Sequence, residues 1–178
     1  MGSLVENGST PESLVSNEKM TLEKAAKVMA DLAEHGVAGT LYGSLGVSVY
    51  VGDFKEFGDA DLVVASEWTG ERWDELQEIM SSLGYQLVDA KEHEFHSARG
   101  ESVAFAPVTI FERDGIEFDE TQDVVTVPTV DGEIRTFTPE LFKRAYEYSV
   151  KDGYRTEERG KKDQLVLDLL AKHSTSNG

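Results

Sequence analysis

Gly43-Ser44, followed fourteen residues later by Asp59-Ala60-Asp61, constrains this chain more than any other feature. The stretch LYGSLGVSVYVGDFKEFGDADLVV places a glycine-serine turn behind one apolar run and two carboxylates at the head of another. On a β-strand, positions i and i+2 point to the same face. Asp59 and Asp61 are therefore expected to aim together at whatever lies above the glycine turn. Two like charges that close repel, and burial raises the cost, so they require a shared cation or one of them must take a proton. A divalent metal resolves the conflict most easily beside a turn with free backbone N–H groups.

The chain has 178 residues, enough for one ordinary domain with a full core and a small helical appendage. Lys and Arg number 17 against 34 Asp and Glu, a formal charge of −17. Duplex binding needs a basic footprint, and the chain lacks one overall, although Lys161-Lys162 offers a local one. The acidity favours a small, cationic substrate over a nucleic acid. No cysteine is present, which excludes disulfides, thiolate zinc sites and cysteine nucleophiles. No apolar run approaches the length of a membrane span. The start, MGSLVENGSTPESLVSNEK, shows no basic-then-apolar signal pattern, so the expected address is the cytoplasm.

Periodicity predicts a helix from Thr21 to His35, with Leu22, Ala25, Ala26, Met29, Leu32 and Ala33 at helical spacing. Thr21 is its expected cap and Gly36 its stop. A short strand, Gly39 to Tyr42, leads into the Gly43-Ser44 turn. Leu45 to Val51 is read as a short helix, although Val47, Val49 and Val51 alternate as in a strand. Asp61–Ala65 is a compact apolar strand, Thr69–Leu83 a second amphipathic helix, and Tyr85–Val88 a further strand. Val103–Glu112 is expected to be a long strand that turns at Asp114-Gly115, a strong hairpin dipeptide, and returns through Ile116–Phe118. A second hairpin joins Val124–Val127 to Glu133–Phe137 across Val130-Asp131-Gly132. Thr138-Pro139-Glu140 is a helix start, with helices expected over Pro139–Val150 and Glu157–Lys172. The order is that of an α+β protein: a mixed β-sheet with helices packed on one side and a helical C-terminal segment. The expected division is a flexible tail over 1–19, a core over 20–138, C-terminal helices over 139–173 and a flexible tail over 174–178.

Gly43-Ser44, Gly46-Val47, Gly52-Asp53 and Asp59-Ala60-Asp61 together resemble the signature of the polymerase-beta-type nucleotidyltransferase superfamily. The look is nearest to its small lincosamide- and aminoglycoside-modifying members. Thr138-Pro139-Glu140 and the segment Arg159-Gly160-Lys161-Lys162-Asp163 are similar to later pieces of the same pattern, so the resemblance covers most of the chain in scattered parts. It implies a nucleotidyltransferase core and an enzyme that moves a nucleoside monophosphate, AMP from ATP first, to a hydroxyl of a small antibiotic-type acceptor.

The chemistry so implied is physically coherent. Mg²⁺ takes hard oxygen ligands, usually one or two carboxylates beside phosphate oxygens, and Asp59 and Asp61 would supply the carboxylates. Gly43-Ser44 would let backbone and hydroxyl approach phosphate at a helix N-terminus. Lys162 is similar to a family lysine that reaches the phosphates, and Asp163 is read as its partner. The resemblance also implies a third carboxylate on a neighbouring strand, as metal ligand or general base. Glu117 in Ile116-Glu117-Phe118-Asp119 is preferred for that place and Asp119 is the alternative. Many members carry aspartate there, so Glu117 departs from the pattern.

Two other targets stay open: a tRNA or protein substrate, as in toxin-like members, or a degenerate module of the same fold that binds without turnover. His93 and His96 in KEHEFHSARG lack the further ligands of a zinc site and are read as an exposed loop on the acceptor side. Trp68, Trp73, Phe142, Tyr146, Tyr148 and Tyr154 are read as core and surface packing. No Walker or dinucleotide glycine loop is present.

Overall fold

The computed structural model describes residues 19–52, 59–129, 132–151 and 157–177, with the backbone alone at 157–160, 162 and 174–177. Most of the N-terminal tail, Asp53, Val130-Asp131 and Tyr154 lie outside the described residues. The strands are β1 (Thr40–Tyr42), β2 (Asp59–Val64), β3 (Tyr85–Asp89), β4 (Glu94–Ser97), β5 (Ser102–Pro107), β6 (Val124–Thr129) and β7 (Gly132–Phe137). They form one sheet in the order β3-β4-β5-β2-β1-β7-β6. Pairs β1–β7 and β2–β5 are parallel, and β1–β2, β3–β4, β4–β5 and β6–β7 are antiparallel. The helices are α1 (Leu22–Glu34), α2 (Gly43–Val51), α3 (Trp73–Ser82), the single turns α4 (Ile110–Arg113) and α5 (Glu120–Asp123), then α6 (Pro139–Lys151) and α7 (Glu157–Asn177).

Two apolar clusters flank the sheet, and strand alternation divides residues between them. On β2, Leu62 and Val64 enter the first cluster while Val63 enters the second. The first packs α1 and α3 against the sheet through Ala26, Met29, Leu32, Leu76 and Met80. The second joins Phe111 of α4, Phe137 of β7, Leu141 and Phe142 of α6, and Val166 and Leu170 of α7. Helices on one side and a separate C-terminal helical layer are thus what the periodicity predicts. Helix α1 begins as expected, with the Thr21 hydroxyl accepting from Lys24 N at 3.2 Å, and ends at Gly36, whose φ is +87°.

Helix α2 belongs to both clusters: Leu45 packs in the first and Val47 in the second. Val51 packs against both as well, so apolar residues are needed on opposite sides of this helix. Gly46 lets α2 approach its neighbours. A Cβ there would lie 2.8 Å from Phe142 Cζ and 3.0 Å from the Leu41 carbonyl.

Three expected elements differ. The strand expected to run to Glu112 stops at Pro107, and α4 follows instead. Proline has no N–H to continue a ladder. Phe111 then turns inward and is 2% exposed. Gly115, at φ +72°, ends α4 rather than making a hairpin, and Ile116–Phe118 lies in no strand. The expected loop at His93–Ser97 contains strand β4, paired to β3 and β5. Helix α3 starts at Trp73, not Thr69, because Ser66–Thr69 forms a 3₁₀ turn first. Arg72 then stacks over Trp68 at 3.9 Å and pairs with Glu67 and Glu75.

Tyr50 of α2 donates its hydroxyl to the Phe137 carbonyl at 2.7 Å. Burial, then the nearby Glu140 carboxylate, pushes its pKa up to about 12. Burial, then Glu101, does the same to Tyr85, also to about 12. Unfolded tyrosines ionise near pH 10. The stabilisation from keeping both rings neutral is therefore fully present below about pH 10 and is lost as pH rises toward 12. We expect thermal stability to fall across that window, with two tyrosines titrating late in the phenolate absorbance band. Tyr50→Phe should remove part of the fall. Titration of every tyrosine near pH 10 in the folded protein would show the burial argument to be wrong.

Candidate active site

Strand β1 ends among aromatic rings. Tyr42 meets Phe111 and Phe137 edge-on, each at 5.5 Å, and stacks on Phe142 at 5.9 Å. Such pairs add about 0.5–1.5 kcal/mol each beyond burial. They fix the residue from which the chain turns into α2. Gly43 makes that turn at φ +70°. Tyr42 offers no capping side chain to α2, so the first-turn N–H groups have no side-chain cap there.

Asp61 is register partner to Tyr42 across β1–β2. Its carboxylate rests directly on Gly43: a Cβ there would overlap Asp61 Oδ2 and lie 3.2 Å from Cγ. Asp59, two residues earlier on β2, points to the same face and is exposed. Both carboxylates, with Gly43 and Ser44, line a cavity of about 570 Å³. The structure thus brings together Gly43, Ser44, Asp59 and Asp61 of the expected site residues.

Glu117 and Asp119 are elsewhere, on the wall of a second cavity with Arg144. Phe118 stacks inward on Phe111 at 4.9 Å, and its neighbour Glu117 is exposed. Asp119 caps α5, and the Thr121 hydroxyl and backbone N–H hold its carboxyl below the ordinary value. Neither reaches the Asp59–Asp61 pair. The position on β5 level with Asp61 is Ala104, and the next on that face is Ala106. Among the described residues no three His, Asp or Glu side chains converge on a point that could hold a metal ion. The Lys162 side chain lies outside the described residues, and Lys161 is exposed.

The far wall adds Ser149 and Arg113, which the sequence did not single out, to residues it read as packing or as the partner of Lys162. Tyr146, Tyr148 and Ser149 of α6 line it, so the two tyrosines serve the cavity as well as the packing expected of them. Asp163 of α7, 4% exposed, accepts from the Ser149 hydroxyl at 2.5 Å. Arg113 of α4 brings a guanidinium to the rim, paired to Asp114 at 3.1 Å. That Asp114 contact comes first in holding the Arg113 pKa up. No sequence signal exposes Arg113, because its placement depends on the break after Pro107.

Two carboxylates and a helix N-terminus on one turn suit a cation and an anion held together. Two hard oxygen ligands match the number a Mg²⁺ ion takes from protein when phosphates and water complete its shell.

The chain matches no family profile. YnaI of Bacillus subtilis (strain 168), an uncharacterized protein, is 29% identical over 146 residues, which are 74% of this chain and 83% of that protein. Among solved structures, an antigenic nucleotidyltransferase-like protein from Paracoccidioides brasiliensis superposes with a TM-score of 0.66 at 12% identity, over 86% of this chain and 77% of its own. The fold is that of the nucleotidyltransferases. A second structure with this nucleotidyltransferase fold, the lincosamide antibiotic adenylyltransferase LnuA with lincomycin bound, superposes with a TM-score of 0.57 at 16% identity, over 86% of this chain and 98% of its own. Among the described residues, no helix is long and apolar enough to cross a membrane.

Proposed function

We propose that this protein is a metal-dependent nucleotidyltransferase that moves AMP from ATP to a hydroxyl of a small acceptor and releases pyrophosphate. The observation that carries this reading is the Asp61 carboxylate seated on Gly43 at the N-terminus of α2, with Asp59 on the same face. Asp59 and Asp61 would hold Mg²⁺, which when bound supplies charge neutralisation at the phosphates. The first-turn N–H groups of α2 and the Ser44 hydroxyl face the same anion. Arg113 at the rim adds a cation for the leaving pyrophosphate. The acceptor oxygen attacks the α-phosphorus, the bond to the β-phosphate breaks, and pyrophosphate leaves with the electron pair. Most of the acceleration comes from positioning and fixed charge.

A small acceptor is favoured over tRNA because the chain carries −17 and would repel a polyphosphate. The lincomycin-bound neighbour makes lincomycin the first acceptor to try. A second reading, nucleotide binding without turnover, is favoured by one observation: Glu117 and Asp119, the expected third carboxylates, line a different cavity from Asp59 and Asp61. Calorimetry with ATP, with and without Mg²⁺, tests the site. Pyrophosphate release with lincomycin and other polyhydroxylated compounds tests turnover. Metal-dependent binding plus release supports transfer, binding alone supports the second reading, and no metal-dependent binding ends both.

A further inference from the structure

Strands β2, β5 and β4 lie side by side, and their register lines up two rows on the face that carries the carboxylate pair. One row is Asp61, Ala104, Glu94 and the other is Asp59, Ser102, His96. Level residues on neighbouring strands share a face. Strands are about 4.8 Å apart, so Glu94 and His96 start roughly 10 Å from the aspartates. Ala104 leaves the floor between them low.

Glu94, His96 and Ser102 form a built network rather than a loose ion pair. His96 Nε2 lies 2.8 Å from Glu94 Oε2, and the Ser102 hydroxyl donates to the same oxygen at 3.1 Å. Ser102 is 5% exposed, so its hydroxyl fixes the carboxylate from below. A carboxylate only accepts, so the proton on Nε2 faces Glu94. Neutral imidazole then carries its lone pair on Nδ1. A carboxylate that sets the tautomer of a histidine, whose second nitrogen works as a base, is the logic of an oriented general base.

Resting on the transfer reading above, we propose that His96, oriented by Glu94, is the general base for the acceptor hydroxyl. His96 Nδ1 takes the hydroxyl proton as the oxygen bonds to the α-phosphorus and the bond to pyrophosphate breaks. The acceptor then lies on the open face over β5 and β4, between the metal pair and the histidine. This supplies the base that Glu117 and Asp119, on another cavity, do not. Glu92 lines the cavity nearby on the β3–β4 turn. Its side chain has no hydrogen bond among the described residues, so nothing holds it in one orientation.

The neighbours of His96 on the sheet are polar. Glu94 is on its own strand, uncharged Gln86 is level on β3 and Ser102 is level on β5. Asp89 is level with Glu94, and Asp59 closes the row on β2.

The test uses the full chain, Mg²⁺, ATP and whichever acceptor gives the fastest pyrophosphate release. His96→Asn should lower kcat/KM about 100-fold or more while the Kd for Mg·ATP changes by less than about twofold. Glu94→Gln should lower kcat with the Kd for Mg·ATP unchanged and weaken the preference for the Nε2-protonated tautomer, because an amide oxygen accepts from Nε2–H less strongly than a carboxylate. Glu78→Gln, exposed on α3 on the other side of the sheet, should leave both unchanged. Nitrogen NMR should find the neutral His96 ring protonated on Nε2. Wild-type turnover by His96→Asn, or a ring protonated on Nδ1, overturns this assignment alone. A wild type without metal-dependent binding or release has lost the transfer reading itself, and the assignment falls with it.

Discussion

Asp61→Asn should lose metal-dependent ATP binding by about 100-fold and transfer by about 1,000-fold or more. The asparagine keeps the shape of the side chain and removes its charge, so the loss reports electrostatics and not packing. Asp61 is the sharper probe of the pair because it is half-buried on Gly43, whereas Asp59 is exposed. On the proposed reading its carboxylate would tie the cation to the same turn whose N–H groups would meet phosphate. Loss of one ligand therefore loosens two components together. Calorimetry with and without Mg²⁺ reads the first effect, and pyrophosphate release reads the second. The melting curve must stay cooperative for the comparison to count. Unchanged affinity for Mg·ATP in Asp61→Asn would remove the carboxylate pair from the site.

The second large effect belongs to Gly43→Ala. Two penalties meet there. Alanine at φ +70° costs about 1–2 kcal/mol. The added methyl also overlaps Asp61 Oδ2, so the carboxylate must move off the turn. We expect a total loss of about 2–3 kcal/mol of stability, a melting point lower by roughly 4–12 °C, and at least a 100-fold loss of transfer. Gly36→Ala is the control, since Gly36 has a similar φ of +87° and a methyl added there would meet nothing within 4 Å. It should show the backbone cost alone, with activity intact. Gly43→Ala combined with Asp61→Ala should regain the overlap share and keep the backbone share. Equal costs for Gly36→Ala and Gly43→Ala would mean that the close approach of Asp61 contributes nothing.

The parts legible in the sequence are those where local chemistry and tertiary need agree. Helix α1 has its cap, its apolar stripe and its terminal glycine, all within one stretch. The hairpin β6–β7 and helix α6 follow from alternation and from Thr138-Pro139-Glu140. The two aspartates share a face because strand geometry leaves no alternative. What was illegible depends on contacts far away. Strand β4 buries Phe95 and keeps Glu94, His96 and Ser97 only partly covered, so one apolar residue carries no alternation. It is a strand because β3 and β5 lie on both sides of it. The segment after Pro107 reads as a strand because Val108, Ile110 and Ile116 are β-formers. Burial of Phe111 in the second cluster wins instead, and it moves Glu117 away and Arg113 in.

Helix α2 touches both apolar clusters, through Leu45 on one side and Val47 on the other. Its consequence is cooperative. A segment held from two sides is released only when both layers separate, so the Gly43-Ser44 turn should have no unfolding step of its own. On the proposed function, adaptation to different acceptors would come from the opposite end of the sheet, at β3 and β4, away from the helix that both layers anchor.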